Sequence, residues 1–192
     1  MTFLLGLTGS IGMGKSTTAA MFAAHGLPVW SADAAVHRLY ATGCPPLAAL
    51  FPSALQTGTI SRDILKQIIA NDPTALPRIE SVVHPLVAAD RATFLTTTEA
   101  EIKILDIPLL FENGTESQFH ATLLVTAPSG LQRQRVMERP GMTEAHLATI
   151  LARQMPDAKK RALATHIVET LDLPSTAAYV KALIAHIRGH NA

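Results

Sequence analysis

Eight consecutive residues, Gly9-Ser10-Ile11-Gly12-Met13-Gly14-Lys15-Ser16, fit the pattern G-x-x-x-x-G-K-[ST] at every fixed position. These residue types share one chemistry, the holding of phosphate. Glycines let the main chain turn tightly round an anion, and the amide hydrogens that open the following helix point at it. The cradle Gly12, Met13, Gly14, Lys15, Ser16 and Thr17 implies a nucleoside triphosphate. Lys15 would neutralise the β- and γ-phosphates and the Ser16 hydroxyl would ligate Mg²⁺.

Three further features bear on chemistry. Asp33 is the only acid between Met1 and Arg62. It follows a strand-like stretch, at the end where open parallel sheets take ligands. A carboxylate there suits a reaction that removes the proton of an attacking hydroxyl, but an Asp at the start of a helix also suits capping. Asp106 ends an apolar strand, where it either supports the metal through water or simply closes the strand. Seven of the sixteen Lys and Arg residues fall between Arg133 and Arg161, on both sides of the breaker Pro140-Gly141. They form either a lid whose guanidinium closes over transferring phosphate or an ordinary solvated face. His84 on its own reads as packed or capping. His186 and His190 are spaced for a helical metal pair, although a solvated tail is the plainer reading.

The elements that must position these residues alternate. Strand signals lie at Phe3–Thr8, Leu27–Trp30, Ile102–Ile107, Ala121–Thr126 and His166–Glu169. Helical patterns lie at Thr17–Ala24, Ala34–Tyr40, Ser61–Ala70, Pro73–Phe94, Leu131–Glu138, Glu144–Met155, Asp157–Ala164 and Thr176–Ile187. Alternation predicts an α/β fold, a five-stranded parallel sheet flanked by helices. Between Leu47 and about Thr98 there is little strand signal, which predicts a helical insertion. The expected organisation is a single domain over 1–192. Its core is about 1–33 and 100–192, the insertion about 41–98 and the lid about 135–161.

Composition narrows the classes. With 48% apolar and 16% charged residues the chain is built for a packed core. A net charge of +1 argues against a general nucleic-acid binder. Cys44 is the single cysteine, so an internal disulfide is impossible and a reducing compartment is expected. The first apolar run has no basic residues before it and is broken by glycines, as in a strand rather than a signal peptide. No apolar stretch reaches membrane-spanning length.

Several segments together resemble the dephospho-CoA kinase family nearly end to end. They are Leu7 to Thr17, Ala32-Asp33, His84-Pro85-Leu86, Pro108-Leu109-Leu110-Phe111-Glu112-Asn113, Arg135-Val136-Met137-Glu138-Arg139 and Ala152-Arg153-Gln154-Met155-Pro156. The phosphate loop is shared by many kinases; His-Pro-Leu followed by Pro-Leu-Leu-Phe-Glu is far more specific. The resemblance implies a P-loop kinase core with a helical substrate-binding insertion and an arginine-bearing lid. It implies transfer of the γ-phosphoryl group of ATP, with Mg²⁺, to the ribose 3′-hydroxyl of dephospho-CoA. In that frame Asp33 is the base, Lys15 and Arg139 face ATP phosphates, and His84, Leu109, Leu110 and Glu112 lie in the acceptor region. A cytoplasmic monomer or weak homo-oligomer acting on a small molecule, with no nucleic-acid or membrane partner, is expected.

The chain departs from the family pattern in three places. Ser31 stands where an Asp is usual, Pro140 follows the lid arginine, and Glu169-Thr170 replaces an Asp-Asn type sequence near the adenine base. Two other readings stay open on the residues alone. A nucleoside monophosphate kinase would use the same loop and lid. A GTP-dependent switch would need an Asn-Lys-x-Asp segment, which the sequence lacks.

Overall fold

The computed structural model describes residues 2–190 and falls into two units, one of residues 2–29 with 99–190 and one of residues 30–98. The larger unit is built on a sheet whose central strands are mostly apolar and almost wholly buried, as strands covered on both faces tend to be. They are β1 (Phe3–Thr8), β5 (Ile102–Asp106) and β6 (Ala121–Thr126), numbered in chain order; β5 and β6 are buried at every residue. With β2 (Val29–Ser31) and β7 (His166–Glu169) the order is β2-β5-β1-β6-β7.

β1 pairs in parallel with β5 (Leu5 opposite Ile104) and with β6 (Leu5 opposite Ala121), and β6 pairs in parallel with β7. On the β2 side, Ile104 N–H donates to the Pro28 carbonyl (3.0 Å). β1 therefore lies at the centre, with later strands on either side, and its carboxyl end opens at the place where such sheets bind ligands. Helices α1 (Lys15–Ala24) and α9 (Leu173–His190) cover the sheet. Phe22, Val180, Leu183, Ile184 and Ile187 close over Leu5, Leu7, Ile104, Leu123 and Val125. Three shorter helices, α6 (Ser129–Met137), α7 (Glu144–Leu151) and α8 (Asp157–Leu163), run between β6 and β7.

The smaller unit has its own core of Leu47, Phe51, Ala54, Ile60, Leu65, Ala75, Ile79 and Val83. Its helices are α2 (Ala32–Ala41), α3 (Pro45–Leu50), α4 (Arg62–Asn71) and α5 (Ala75–Thr97), the last running through Pro85. Pro45 and Pro46 occupy the first turn of α3, where a missing N–H is harmless. One feature adds to the sequence reading. The stretch with little strand signal holds a short hairpin, β3 (Leu55–Gln56) with β4 (Thr59–Ile60). Its turn, Thr57-Gly58, has φ of 48° and 84°, the paired positive values of a hairpin turn. A threonine in the first of those positions gives little warning of that in sequence.

A polar node braces this unit. Asp90 Oδ1 accepts from the indole N–H of the buried Trp30 (2.6 Å) and from Arg38 Nη2 (2.6 Å). Partial burial works against the Asp90 carboxylate, but the bonds from Trp30 and Arg38 outweigh it and hold its pKa below the usual value. Asp90→Ala should lose about 1–3 kcal/mol of stability, because it leaves the Trp30 N–H buried without an acceptor. A depressed carboxylate pKa contributes stability above the unfolded-chain value near 3.9, and loses it as pH falls through the lower native value. The difference between parent and variant, measured by urea unfolding on the emission of the single tryptophan, should therefore be full at neutral pH and shrink below about pH 4.

Candidate active site

The phosphate loop joins β1 to α1 and is shaped by two glycines. Gly12 (φ 75°) and Gly14 (φ 92°) are both in the left-handed region. A Cβ on Gly12 would sit 2.5 Å from Val136 Cγ2 and 2.9 Å from the Gln132 carbonyl, so any side chain there is excluded by space as well as by φ. α1 starts at Lys15 with no side-chain cap and no acid in its first turn. The amides of a first helical turn have no partner within the helix, so here they are left for an external anion. Lys15 forms an ion pair with Asp106 at the end of β5, both side chains largely buried. Ser16 and Thr17 are exposed at the helix start.

The rest of the loop is fixed by side chains distant in sequence. Ile11 is bracketed by two glutamines: its N–H donates to Gln154 Oε1 (3.2 Å), and its carbonyl accepts from Gln132 Nε2 (2.8 Å). Met13 Sδ accepts from the Ala127 N–H (3.0 Å), and the Met13 carbonyl accepts from Thr170 Oγ1 (2.8 Å). Neither Gln132 nor Thr170 was identified from sequence as a loop support. Gln154 sits in a segment that carried the family resemblance, but without a role.

Beside the loop is a cleft of about 370 Å³ lined by Gly12, Gly14, Thr17, Arg135, Arg139 and Thr170, with Leu171 and Leu173 at its edge. Its two arginines differ. Arg135 spends both terminal nitrogens on Thr170, on the hydroxyl (2.8 Å) and the carbonyl (2.6 Å). Arg139 is exposed, and its guanidinium has no partner among the described residues.

The other basic residues of the segment also separate. Arg133 pairs with Glu144, Arg161 pairs with Asp157 and Glu169, and Lys160 is fully buried against Glu112. Among the described residues, four of the seven cations thus hold the protein together, and Arg139 is the one facing the cleft without a partner.

Residues 108–113, which follow β5, divide in the same way. Leu109 is 39% exposed. Leu110 is fully buried with its Cδ1 over Gly6, where a Cβ would come within 2.7 Å, so its side chain belongs to the core and not to a substrate surface. Glu112 Oε1 accepts from the Met155 N–H (2.8 Å) and lies 2.8 Å from Lys160 Nζ, off the line that a hydrogen bond requires; Oε2 is buried without a partner.

In the smaller unit, Ser31 is the cap of α2, its Oγ accepting from the Ala34 N–H (3.4 Å). Capping is therefore not the task of Asp33. Its carboxylate stands exposed in the first turn with no hydrogen-bond or ion-pair partner among the described residues. His84 is exposed midway along α5, neither packed nor capping. The His186 and His190 rings lie 4.1 Å apart, and the described residues contain no cluster of three or more His, Cys, Asp or Glu fit to hold a metal. No helix among the described residues is long and apolar enough to cross a membrane.

Known proteins resemble this chain along nearly all of it. A dephospho-CoA kinase from Cereibacter sphaeroides is 64% identical over 189 residues, covering 97% of this chain and 96% of that one. One from Ruegeria pomeroyi is 50% identical over 194 residues, 100% and 98% of the two chains. The crystal structure of TT1252 from Thermus thermophilus superimposes with a TM-score of 0.86 at 37% identity, covering 96% of this chain and 97% of that one. A shikimate kinase from Acinetobacter baumannii, at 16% identity and a TM-score of 0.55 over 99% and 95% of the two chains, shares the fold alone. The family model for dephospho-CoA kinase (CoaE) matches residues 3–172, a span that takes in the phosphate loop, Asp33, His84, Asp106, residues 108–113 and Arg139, and the chain belongs to that family.

Proposed function

We infer that this chain transfers the γ-phosphoryl group of ATP to the ribose 3′-hydroxyl of dephospho-CoA, releasing ADP and CoA, the last step of coenzyme A synthesis. Beyond family membership, the observation that carries this reading is the uncapped start of α1 behind two left-handed glycines, opening on a cleft that also presents an unpaired arginine. That arrangement suits a polyphosphate with a transferable end.

The division of labour follows from the chemistry. The loop amides and Lys15 hold the β- and γ-phosphates. The exposed Ser16 hydroxyl is a ready ligand for Mg²⁺, and Asp106 a second-layer anchor for its waters; the ion offsets phosphate charge when bound. Asp33 accepts the proton of the 3′-hydroxyl as that oxygen bonds to the γ-phosphorus and the bond to the β-phosphate oxygen breaks. A carboxylate that does not cap its helix and pairs with none of the described residues is free for that task. Arg139 neutralises charge on the equatorial oxygens. His84, Leu109 and Glu112 serve the acceptor, and Leu110, buried over Gly6, backs this segment from the core of the larger unit. The buried thiol of Cys44 and the lack of any possible internal disulfide fit a reducing, cytoplasmic setting.

Three measurements test the reading. Purified protein with Mg²⁺-ATP should release ADP with dephospho-CoA and not with pantetheine, nucleosides or nucleoside monophosphates; turnover with AMP or CMP instead would overturn it. Asp33→Asn should bind ATP as the parent does while kcat falls by about 10²–10⁴-fold, and a near-normal kcat would remove Asp33 from the chemistry. Arg139→Ala should lower kcat by about a hundredfold or more with little change in KM for dephospho-CoA, and an unchanged rate would return this arginine to the solvated surface.

A further inference from the structure

We propose that Thr170, locked by Arg135, is a positioning residue for the phosphate cradle: it sets the Met13–Gly14 peptide so that the Gly14 amide faces the nucleotide phosphates. The proposal rests on the reading above, that this loop binds ATP.

The geometry is specific. Thr170 is 5% exposed. Its N–H donates to the Thr126 carbonyl (2.8 Å), which ties it to the end of β6. Its carbonyl and hydroxyl are both held by the planar fork of Arg135, at 2.6 and 2.8 Å. A hydroxyl has one proton to donate. With an arginine N–H directed at one of its lone pairs, that proton goes to the Met13 carbonyl at 2.8 Å in preference to the Thr126 carbonyl at 3.3 Å. The described peptide bonds are all trans, and in a trans peptide the C=O and the following N–H point in opposite directions. Anchoring the Met13 oxygen on Thr170 therefore turns the Gly14 N–H away from Thr170, toward the concave side of the loop.

Gly14 permits this because of its close seat: a Cβ there would lie 2.9 Å from Thr170 Oγ1, and its φ of 92° excludes most side chains. Arg135 acts through Thr170 and not on phosphate, so it is distinct from Arg139 although both line the same cleft. It has no carboxylate partner among the described residues, and its two terminal nitrogens are committed to one threonine.

Thr170→Val keeps the shape of the side chain and removes the hydroxyl; Thr170→Ser keeps the hydroxyl. ATP affinity is read by titration with a fluorescent nucleotide competed by ATP, beside steady-state kinetics in both substrates. Losing one such hydrogen bond should raise the Kd and KM for ATP about five- to tenfold and leave KM for dephospho-CoA unchanged, and Thr170→Ser should return to within roughly twofold of the parent. Arg135→Gln should weaken ATP binding in the same direction, and combining it with Thr170→Val should cost little more than Thr170→Val alone, because the two act as one unit.

The parent enzyme separates the two levels of inference. A parent that fails to turn over dephospho-CoA sinks the functional reading. An active parent with unchanged ATP affinity in Thr170→Val, or with Thr170→Ser as impaired as Thr170→Val, sinks the positioning role. If Thr170→Val does not fold, Arg135→Gln decides: unchanged ATP affinity in that variant overturns the proposal.

Discussion

A phosphate chain is gripped by backbone N–H groups only if several of them converge, and a polypeptide resists arranging that. Convergence demands positive φ at more than one residue and a helix that starts without a cap, each a local loss of stability. In this protein those losses fall at Gly12, Gly14 and the first turn of α1. They are offset by burying the strand that leads into the loop and by bonding the loop outward. Ile11 and Met13, the non-glycine residues beside those turns, are each held by partners from beyond β6. The concave side is thereby left to the ligand, and the convex side is where the protein makes its bonds.

Much of this was legible in the sequence because the relevant signals are local. The glycine-lysine-serine loop, the apolar strands and the strand–helix alternation are read within windows of a few residues, and the five strands of the parallel sheet, unlike the short β3–β4 hairpin, emerged from five signals. What was hidden depends on distance along the chain. The bond from Thr170 to Met13 spans 157 residues and that from Ile11 to Gln154 spans 143, so no local pattern reports them. Ser31 illustrates a different blindness. A serine and an aspartate two residues apart both suit a helix start, and only the backbone shows that the serine takes the Ala34 amide and leaves Asp33 unengaged. Leu110 was placed with the acceptor by resemblance, but its burial over Gly6 assigns it to the floor beneath the exposed Leu109.

Charge tells a related story. Read as a run, the cations between Arg133 and Arg161 look alike, and a run suggests a diffuse positive field. Folding breaks that equivalence. Arg133 and Arg161 are spent on neighbouring carboxylates, Lys160 is removed from solvent, and Arg135 is turned onto a threonine. A site that must distinguish transferring phosphate from bulk anion gains from having few unpaired cations, each in a defined place, because surplus mobile charge would bind anions in unproductive geometries. Arg139 is exposed at the cleft, while Arg133, Arg135, Lys160 and Arg161 are neutralised or anchored.

The most costly electrostatic choice is the pairing of Lys160 with Glu112 away from water. Taking both charges out of solvent is compensated only by good geometry, and the pair is not fully satisfied, since one carboxylate oxygen has no partner. Stability alone is a poor reason for such a contact, because apolar residues of similar size would serve as well or better. Its position is more informative. Glu112 also takes the Met155 N–H, and the preceding residue, Gln154, takes the Ile11 N–H. One short stretch before α8 thus fixes the phosphate loop with one residue and residues 108–113 with the next. The bonds from the Met155 N–H to Glu112 and from the Ile11 N–H to Gln154 are directional where an apolar contact would slide, so the register of these segments is set to within a hydrogen-bond length. That tolerance is the one the reaction needs, because transfer of a phosphoryl group depends on donor and acceptor being held to fractions of an ångström.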